Sequence, residues 1–165
     1  MPSIRSTSQL LVHEVYGQRL RVRVCGLLRE GDNLLMVKHW GVGTAGSLWS
    51  PPGGGVEFGE PASTALKREF LEETGLIIDA TRLLFVNELI ALPLHAIELF
   101  FDVQRVGGII GRGIDPETNK EEQLILDVRF MPFEEIKELP ANEVHHLFAG
   151  CQSLDEVFSL TGYRD

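Results

Sequence analysis

Cysteine, tryptophan and tyrosine are scarce: the 165 residues contain two of each. Cys25 and Cys151 stand far apart, which excludes a disulfide framework and gives no zinc-binding spacing. A reducing cytoplasm is the expected setting for such a chain. No apolar run approaches the ~18 residues that span a bilayer, so no membrane partner is expected. Residues 1–8 lack the apolar core of an export signal. Repeats, linkers and low-complexity stretches are missing too. Positive charge is also in short supply. Fifteen Lys and Arg face twenty-four Asp and Glu, a net charge of −9. So acidic a chain repels a phosphate backbone over the Debye length, which argues against a nucleic-acid partner.

What remains is the composition of an ordinary globule, with 44% hydrophobic and 24% charged residues and room for one domain. The charge is unevenly spread. Residues 1–60 carry +1 and residues 61–165 carry −10. The acidic surplus reads either as a solubility device or as carboxylates that bind divalent cations. Only spacing separates the two.

Residues 1–18 read as a polar arm and 19–165 as the domain. From Arg19 the chain alternates, with Leu20, Val22 and Val24 apolar and Arg19, Arg21 and Arg23 polar, which predicts a strand with its apolar face buried. A turn at Glu30–Asn33 leads to a returning strand at Leu34–Val37. A Gly-rich loop spans His39–Ser47, and Leu48–Ser50 is a short extended piece stopped by Pro51 and Pro52. Pro61–Thr74 reads as a helix with Gly75 at its left-handed C-cap. Strands follow at Leu83–Leu92, Ala96–Val106 and Leu124–Met131, with a mobile loop expected at Gly107–Glu122. Pro132 opens a short helix through Glu138, and weaker helical patterns cover Asn142–Ala149 and Leu154–Leu160. The expected class is α/β, with helices covering a mainly strand-built core.

The chemistry lies in Gly54–Glu60 and Arg68–Leu76. At about 100° per residue, Glu73 falls about 40° and Glu72 about 60° from Glu69, on opposite sides, so the three carboxylates share one helix face. Ala62, Ala65 and Leu66 share it, so the acids continue the apolar stripe, away from Lys67, Leu71 and Thr74. Packed carboxylates repel one another and oppose the helix dipole. A hard divalent cation answers both costs. The alternative is a solvated charged face, but only Arg68 stands at i−4 to one of the three, Glu72. The glycines of Pro52-Gly53-Gly54-Gly55 let backbone approach a metal or phosphate closely.

Gly54, five residues, Glu60, seven residues, then Arg68-Glu69-Phe70-Leu71-Glu72-Glu73-Thr74-Gly75-Leu76 resembles the Nudix box of the Nudix hydrolases. Its seven fixed polar and glycine positions all agree, and Phe70 stands where an aliphatic residue is usual. The resemblance implies a Nudix-type α/β/α sandwich with a mixed sheet. It also implies Mg²⁺- or Mn²⁺-dependent hydrolysis of a nucleoside diphosphate linked to another group. It makes Glu69, Glu72, Glu73 and the carbonyl of Gly53 metal ligands. Glu69 would bind or activate water, and Glu60 and Arg68 would form a structural ion pair. In the ADP-ribose-hydrolysing subgroup the loop before the last strand supplies a water-activating glutamate, which points to Glu121 and Glu122, with Glu117 nearby. Members are often homodimers, and the two β-rich runs could supply the interface.

Beyond the box, Glu98 in an apolar strand is an inward carboxylate that needs a partner. Arg19, Arg21 and Arg23 form either a solvated face or a phosphate clamp. Lys38, His39 and Trp40 open the loop before the box; Trp40 and Trp49 are expected to pack more readily than to stack on a base. His145 and His146, neighbours on an expected helix, would diverge by about 100° and make a poor metal pair. Cys25 reads as a small core residue. For the substrate, Pro93 lies seventeen residues beyond Leu76, near where ADP-ribose hydrolases of the family commonly carry a proline. ADP-ribose or a related nucleotide sugar is the first expectation. A (deoxy)nucleoside triphosphate is second, and nucleotide binding without turnover is third.

Overall fold

A computed structural model of the chain describes residue 14 and residues 16–113 and 125–165. Most of the arm at 1–18 therefore lies outside the described residues. The strands are β1 (Leu20–Glu30), β2 (Asn33–Trp40), β3 (Ser47–Ser50), β4 (Gly53–Gly55), β5 (Leu76–Ala91), β6 (Leu94–Gly108), β7 (Ile125–Pro132) and β8 (Gly162–Arg164). The helices are α1 (Ala62–Thr74), α2 (Phe133–Glu138) and α3 (Leu154–Ser159), with a 3₁₀ turn at His146–Phe148. The main sheet runs β3-β2-β1-β6-β5-β8, with β4 paired to β1 and β7 paired to β2. It is mixed: β1/β6 and β5/β8 are parallel, and the other pairs are antiparallel.

Side-chain alternation along the strands builds two cores, one on each face of the sheet. Val24, Leu28, Leu35, Ile78 and Val103 pack under Ala65, Leu66 and Phe70 of α1. Cys25, Leu27, Leu34, Met36 and Phe100 pack against Ile136, Leu147, Phe148, Leu154 and Val157 on the other face. Three layers result, helix on sheet on helix.

β1 and β2 pair only at their hairpin end, Arg29 to Leu34 and Glu30 to Asn33. Further back β1 takes β4 as its neighbour, with Arg23, Val24 and Cys25 opposite Gly55, Gly54 and Gly53. The β4 strand was not expected, because three glycines have no β propensity. Its backbone is pinned to β1 instead. β8 was likewise not foreseen; it is three residues long and pairs in parallel with β5. β5 starts at Leu76, seven residues before the expected strand, and its register shifts in the polar stretch around Ala80–Arg82 hide the alternation there.

Three other readings change. Leu20 and Val22 are 62% and 47% exposed. Burial of the apolar face begins only at Val24, where α1 starts to cover the strand. Thr74 is fully buried rather than outward. Its hydroxyl donates to the carbonyl of Phe70 at 2.6 Å, so burial leaves no unpaired hydroxyl. The helix expected at Asn142–Ala149 is reduced to the single 3₁₀ turn, with His145 extended at its N-cap.

The described start of the loop expected to be mobile is pinned. Gly111 N–H donates to Thr74 O at 3.0 Å and Gly113 N–H to Glu73 O at 2.9 Å, while the left-handed Gly75 (φ 71°) bonds back to Leu71 O. These bonds satisfy the last carbonyls of α1 and hold its acidic end in place.

Gly26 lies beneath Phe70. A Cβ there would sit 2.5 Å and 2.8 Å from two ring atoms. Gly26→Ala is therefore expected to destabilise the fold by roughly 1–3 kcal/mol. A urea midpoint equal to that of the native chain would contradict this packing.

Candidate active site

α1 brings its acidic end against β4. A Cβ on Gly54 would lie 2.2–2.3 Å from the carboxyl atoms of Glu69, so only glycine permits this approach. The burial of the three acids is graded: the Glu73, Glu69 and Glu72 side chains are 11%, 15% and 31% exposed. Glu73 thus sits within the buried stripe, Glu69 at its edge, and Glu72 half outside it.

Glu73 is held at both oxygens. Gly53 N–H donates to Oε2 at 2.9 Å, and His39 Nε2–H donates to Oε1 at 2.7 Å. His39 in turn lies 3.5 Å from the Ser50 hydroxyl through Nδ1. Burial, then the neighbouring Glu73 charge, pushes the Glu69 carboxyl up to about 7, against the pull of Arg68. Arg68 organises the surroundings. Its Nε and Nη2 grip Glu60 in a two-pronged bond, each at 3.0 Å, and Nη2 also reaches Gly55 O at 3.2 Å. Its Nη1 donates to Glu69 at 2.9 Å and lies 3.4 Å from Glu72. The Glu60–Arg68 pair ties the loop to the helix, as the resemblance implied.

A cavity of about 1060 Å³ opens over these groups. Glu69, Glu72, Glu73 and Gly53–Gly55 line it, together with Arg21 and Arg23 of β1 and Arg19 just before it. Below Arg23 lies a buried polar network. Arg23 Nε stands 3.6 Å from Glu98 Oε1, and Glu98 Oε2 accepts from Asn87 Nδ2 at 3.0 Å and from His145 Nε2 at 2.8 Å. His145 Nδ1 accepts from Leu147 N–H, which leaves its Nε2–H for Glu98. His146 donates to Asn87 Oδ1 at 3.1 Å. Burial would raise the Glu98 carboxyl, but His145, Arg23 and Asn87 outweigh it and hold it down at about 2. The two imidazoles do not diverge; they stack at 4.7 Å, because His145 lies outside the turn.

Trp49 is buried, with Arg129 and Lys38 over its ring, so it packs rather than meeting a ligand. Cys25 also borders the cavity, but burial, then the Glu98 charge, pushes its thiol well up, so it is no thiolate nucleophile. Glu117, Glu121 and Glu122 lie outside the described residues. Among the described residues, no cluster of His, Cys, Asp or Glu forms a ready-made metal cage. The donor set still fits a hard dication. It is all oxygen, and burial, then the Glu73 charge, keeps the Glu69 carboxyl raised despite Arg68.

The sequence profile of the NUDIX domain matches residues 17–149. The chain belongs to the Nudix family. It is accordingly a hydrolase of pyrophosphate bonds, a class that generally uses divalent cations and small nucleotide substrates. Solved structures agree on the fold. A NUDIX hydrolase from Nitrosomonas europaea aligns at TM-score 0.63 and 24% identity, over 76% of this chain and 80% of that one. An ADP-ribose pyrophosphatase from Streptococcus suis aligns at 0.59 and 17%, over 88% and 98%. A MutT protein from Methanosarcina mazei aligns at 0.62 and 17%, over 86% and 91%. No curated protein sequence matches significantly. No helix among the described residues is long and apolar enough to cross a membrane.

Sequence reasoning placed His39 in a loop and missed its contact with Glu73, since nothing in the spacing links residues 34 positions apart. Glu98 was foreseen as needing a partner, and it has three.

The depressed Glu98 carboxyl sets a pH dependence. Its stabilisation is complete above the unfolded value near 4.5 and is lost as pH falls toward about 2. The loss amounts to up to roughly 3 kcal/mol. Glu98→Gln is expected to be less stable at neutral pH and to lose this part of the acid slope. Parallel denaturation curves for both proteins between pH 5 and about 2 would contradict it.

Proposed function

We propose that this Nudix hydrolase cleaves, with Mg²⁺ or Mn²⁺, the pyrophosphate of a nucleoside diphosphate linked to a second group, ADP-ribose or a related nucleotide sugar first. The observation that carries the reading is the meeting of Glu69, Glu72 and Glu73 with the Gly53–Gly55 backbone in one large cavity. At about 1060 Å³ it lies at the upper end of the roughly 300–1,000 Å³ typical of small-molecule sites, which suits a substrate larger than a mononucleotide. Pro93 belongs to the β5–β6 turn, whose neighbours Leu94 and His95 line the same cavity.

In this reading Glu69, Glu72, Glu73 and the Gly53 carbonyl hold the cation. A bound divalent cation supplies neutralisation of phosphate charge and a lowered pKa for water. The chain's own part is orientation. Gly53 N–H and His39 fix the Glu73 carboxylate, and Arg68, itself fixed by Glu60, steers Glu69 and Glu72. Glu69 can hold a proton near neutrality while no cation is bound. Glu121 and Glu122 are proposed to assist in activating water, on the resemblance alone.

A second reading, (deoxy)nucleoside triphosphate hydrolysis, draws on Arg19, Arg21 and Arg23 in the cavity, since a triphosphate carries more negative charge.

The experiment is incubation with Mg²⁺ and a nucleotide panel, with products identified by mass. AMP and ribose 5-phosphate from ADP-ribose support the first reading. Pyrophosphate released from a triphosphate supports the second. Binding without product contradicts both. Glu72 is the most exposed of the three acids, so Glu72→Gln is expected to keep the native far-UV circular dichroism while losing at least ~100-fold in turnover. A Glu72→Gln protein with native turnover would contradict the proposed roles.

A further inference from the structure

Arg21 and Arg23 alternate along β1, Arg19 immediately precedes it, and all three line the cavity described above. Two of them differ sharply in how they are held. Arg23 is fixed, with Nε 3.6 Å from Glu98 and Nη2 donating to Gly53 O at 3.4 Å. Yet its buried Nε–H makes no hydrogen bond among the described residues. Arg21 makes no ion pair among the described residues. Its guanidinium carbon lies over the Tyr16 ring, 4.1 Å from the centroid, and its Nη2 stands 3.3 Å from where a Cβ of Gly55 would be. The glycine strand thus leaves open space on which this guanidinium rests.

Among the described residues no anion pairs directly with Arg21. Burial, then the like charge of Arg23, pushes Arg21 down to about 10, and Tyr16 and Glu69 only partly counter this. Glu69 takes its own guanidinium contact from Arg68 instead. A half-buried planar cation whose guanidinium donates to no described residue, beside a second cation, matches the oxygens of a phosphate.

We propose that Arg21, backed by the fixed Arg23 and seated on Tyr16, is the substrate-binding residue that grips a phosphate of the substrate. The proposal rests on the pyrophosphohydrolase reading for its substrate, and it adds the residue that recognises the phosphate from the side of the cavity facing the acidic helix. Arg21 governs affinity, and the rate of the chemical step depends on the glutamates.

The test uses inorganic pyrophosphate as probe, titrated calorimetrically into the full chain in EDTA, so that neither metal nor turnover contributes. The native chain is expected to bind, with an affinity that falls as salt rises. Arg21→Gln is expected to bind at least ~tenfold more weakly, with a flatter salt dependence, and Arg21→Lys to fall between them. Arg82→Gln, at an exposed arginine paired with Asp102, is expected to match the native chain. Native-like binding by Arg21→Gln overturns the proposal, as does a native chain that fails to bind. Should Arg21→Gln not fold, Arg21→Lys decides, because native-like binding by it overturns two-pronged recognition. With a hydrolysed nucleotide, Arg21→Gln is expected to raise KM at least ~tenfold and leave kcat within about threefold. Pyrophosphate binding that depends on Arg21, in a chain that hydrolyses no nucleotide, would overturn the proposed function and leave this inference standing.

Discussion

The carboxyl group of Glu69 touches the sheet where a side chain should be. Gly54 has no Cβ, and the carboxylate fills that place. Much of the site depends on this approach. It lets the acidic end of α1 settle on β4, so that Gly53 N–H can reach Glu73 and Arg68 can bridge the helix to Gly55 O and Glu60. It also forces carboxylates together in a partly dry place, which is why Glu69 resists ionisation. The helix is kept in this position from behind by Gly111 and Gly113, whose N–H groups cap its final carbonyls.

Two sets of like charge share one cavity. Glutamates line it from α1 and arginines from β1. Direct neutralisation between the sets is incomplete: Arg68 and His39 serve the glutamates, Glu98 serves Arg23, and Arg21 rests on an aromatic ring. A cation with a phosphate ligand is complementary to both sets at once. The Glu98–His145–Asn87 network then has a clear part in the fold. It holds one guanidinium in place beneath the cavity, so the charge there does not depend on a flexible side chain finding its position.

Much of this was legible in the residues. The residues from Gly54 to Gly75 announced the helix's left-handed end and a close backbone approach at the glycines, although that approach was expected from a metal or phosphate and the structure puts the Glu69 carboxyl there. The Glu60–Arg68 pair came with the same motif. Periodicity, by contrast, misjudged β1. It assigned burial to Leu20 and Val22, which stay exposed while Arg21 and Arg23 are partly covered, and one strand's alternation cannot say where along it the covering helix begins. Nor could spacing show that His39 meets Glu73, or that His145 leaves its turn to reach Glu98. Those contacts depend on how β2 and the segment after α2 fold back, which local sequence does not encode.

The oxygen-rich cluster on α1 is proposed as the seat of a divalent cation, and anomalous scattering from crystals soaked in Mn²⁺ measures that most directly. The account predicts a manganese peak bounded by the carboxylates of Glu69, Glu72 and Glu73 and the carbonyl of Gly53. A map with manganese only at other acidic residues, or with none at saturating concentration, would contradict it.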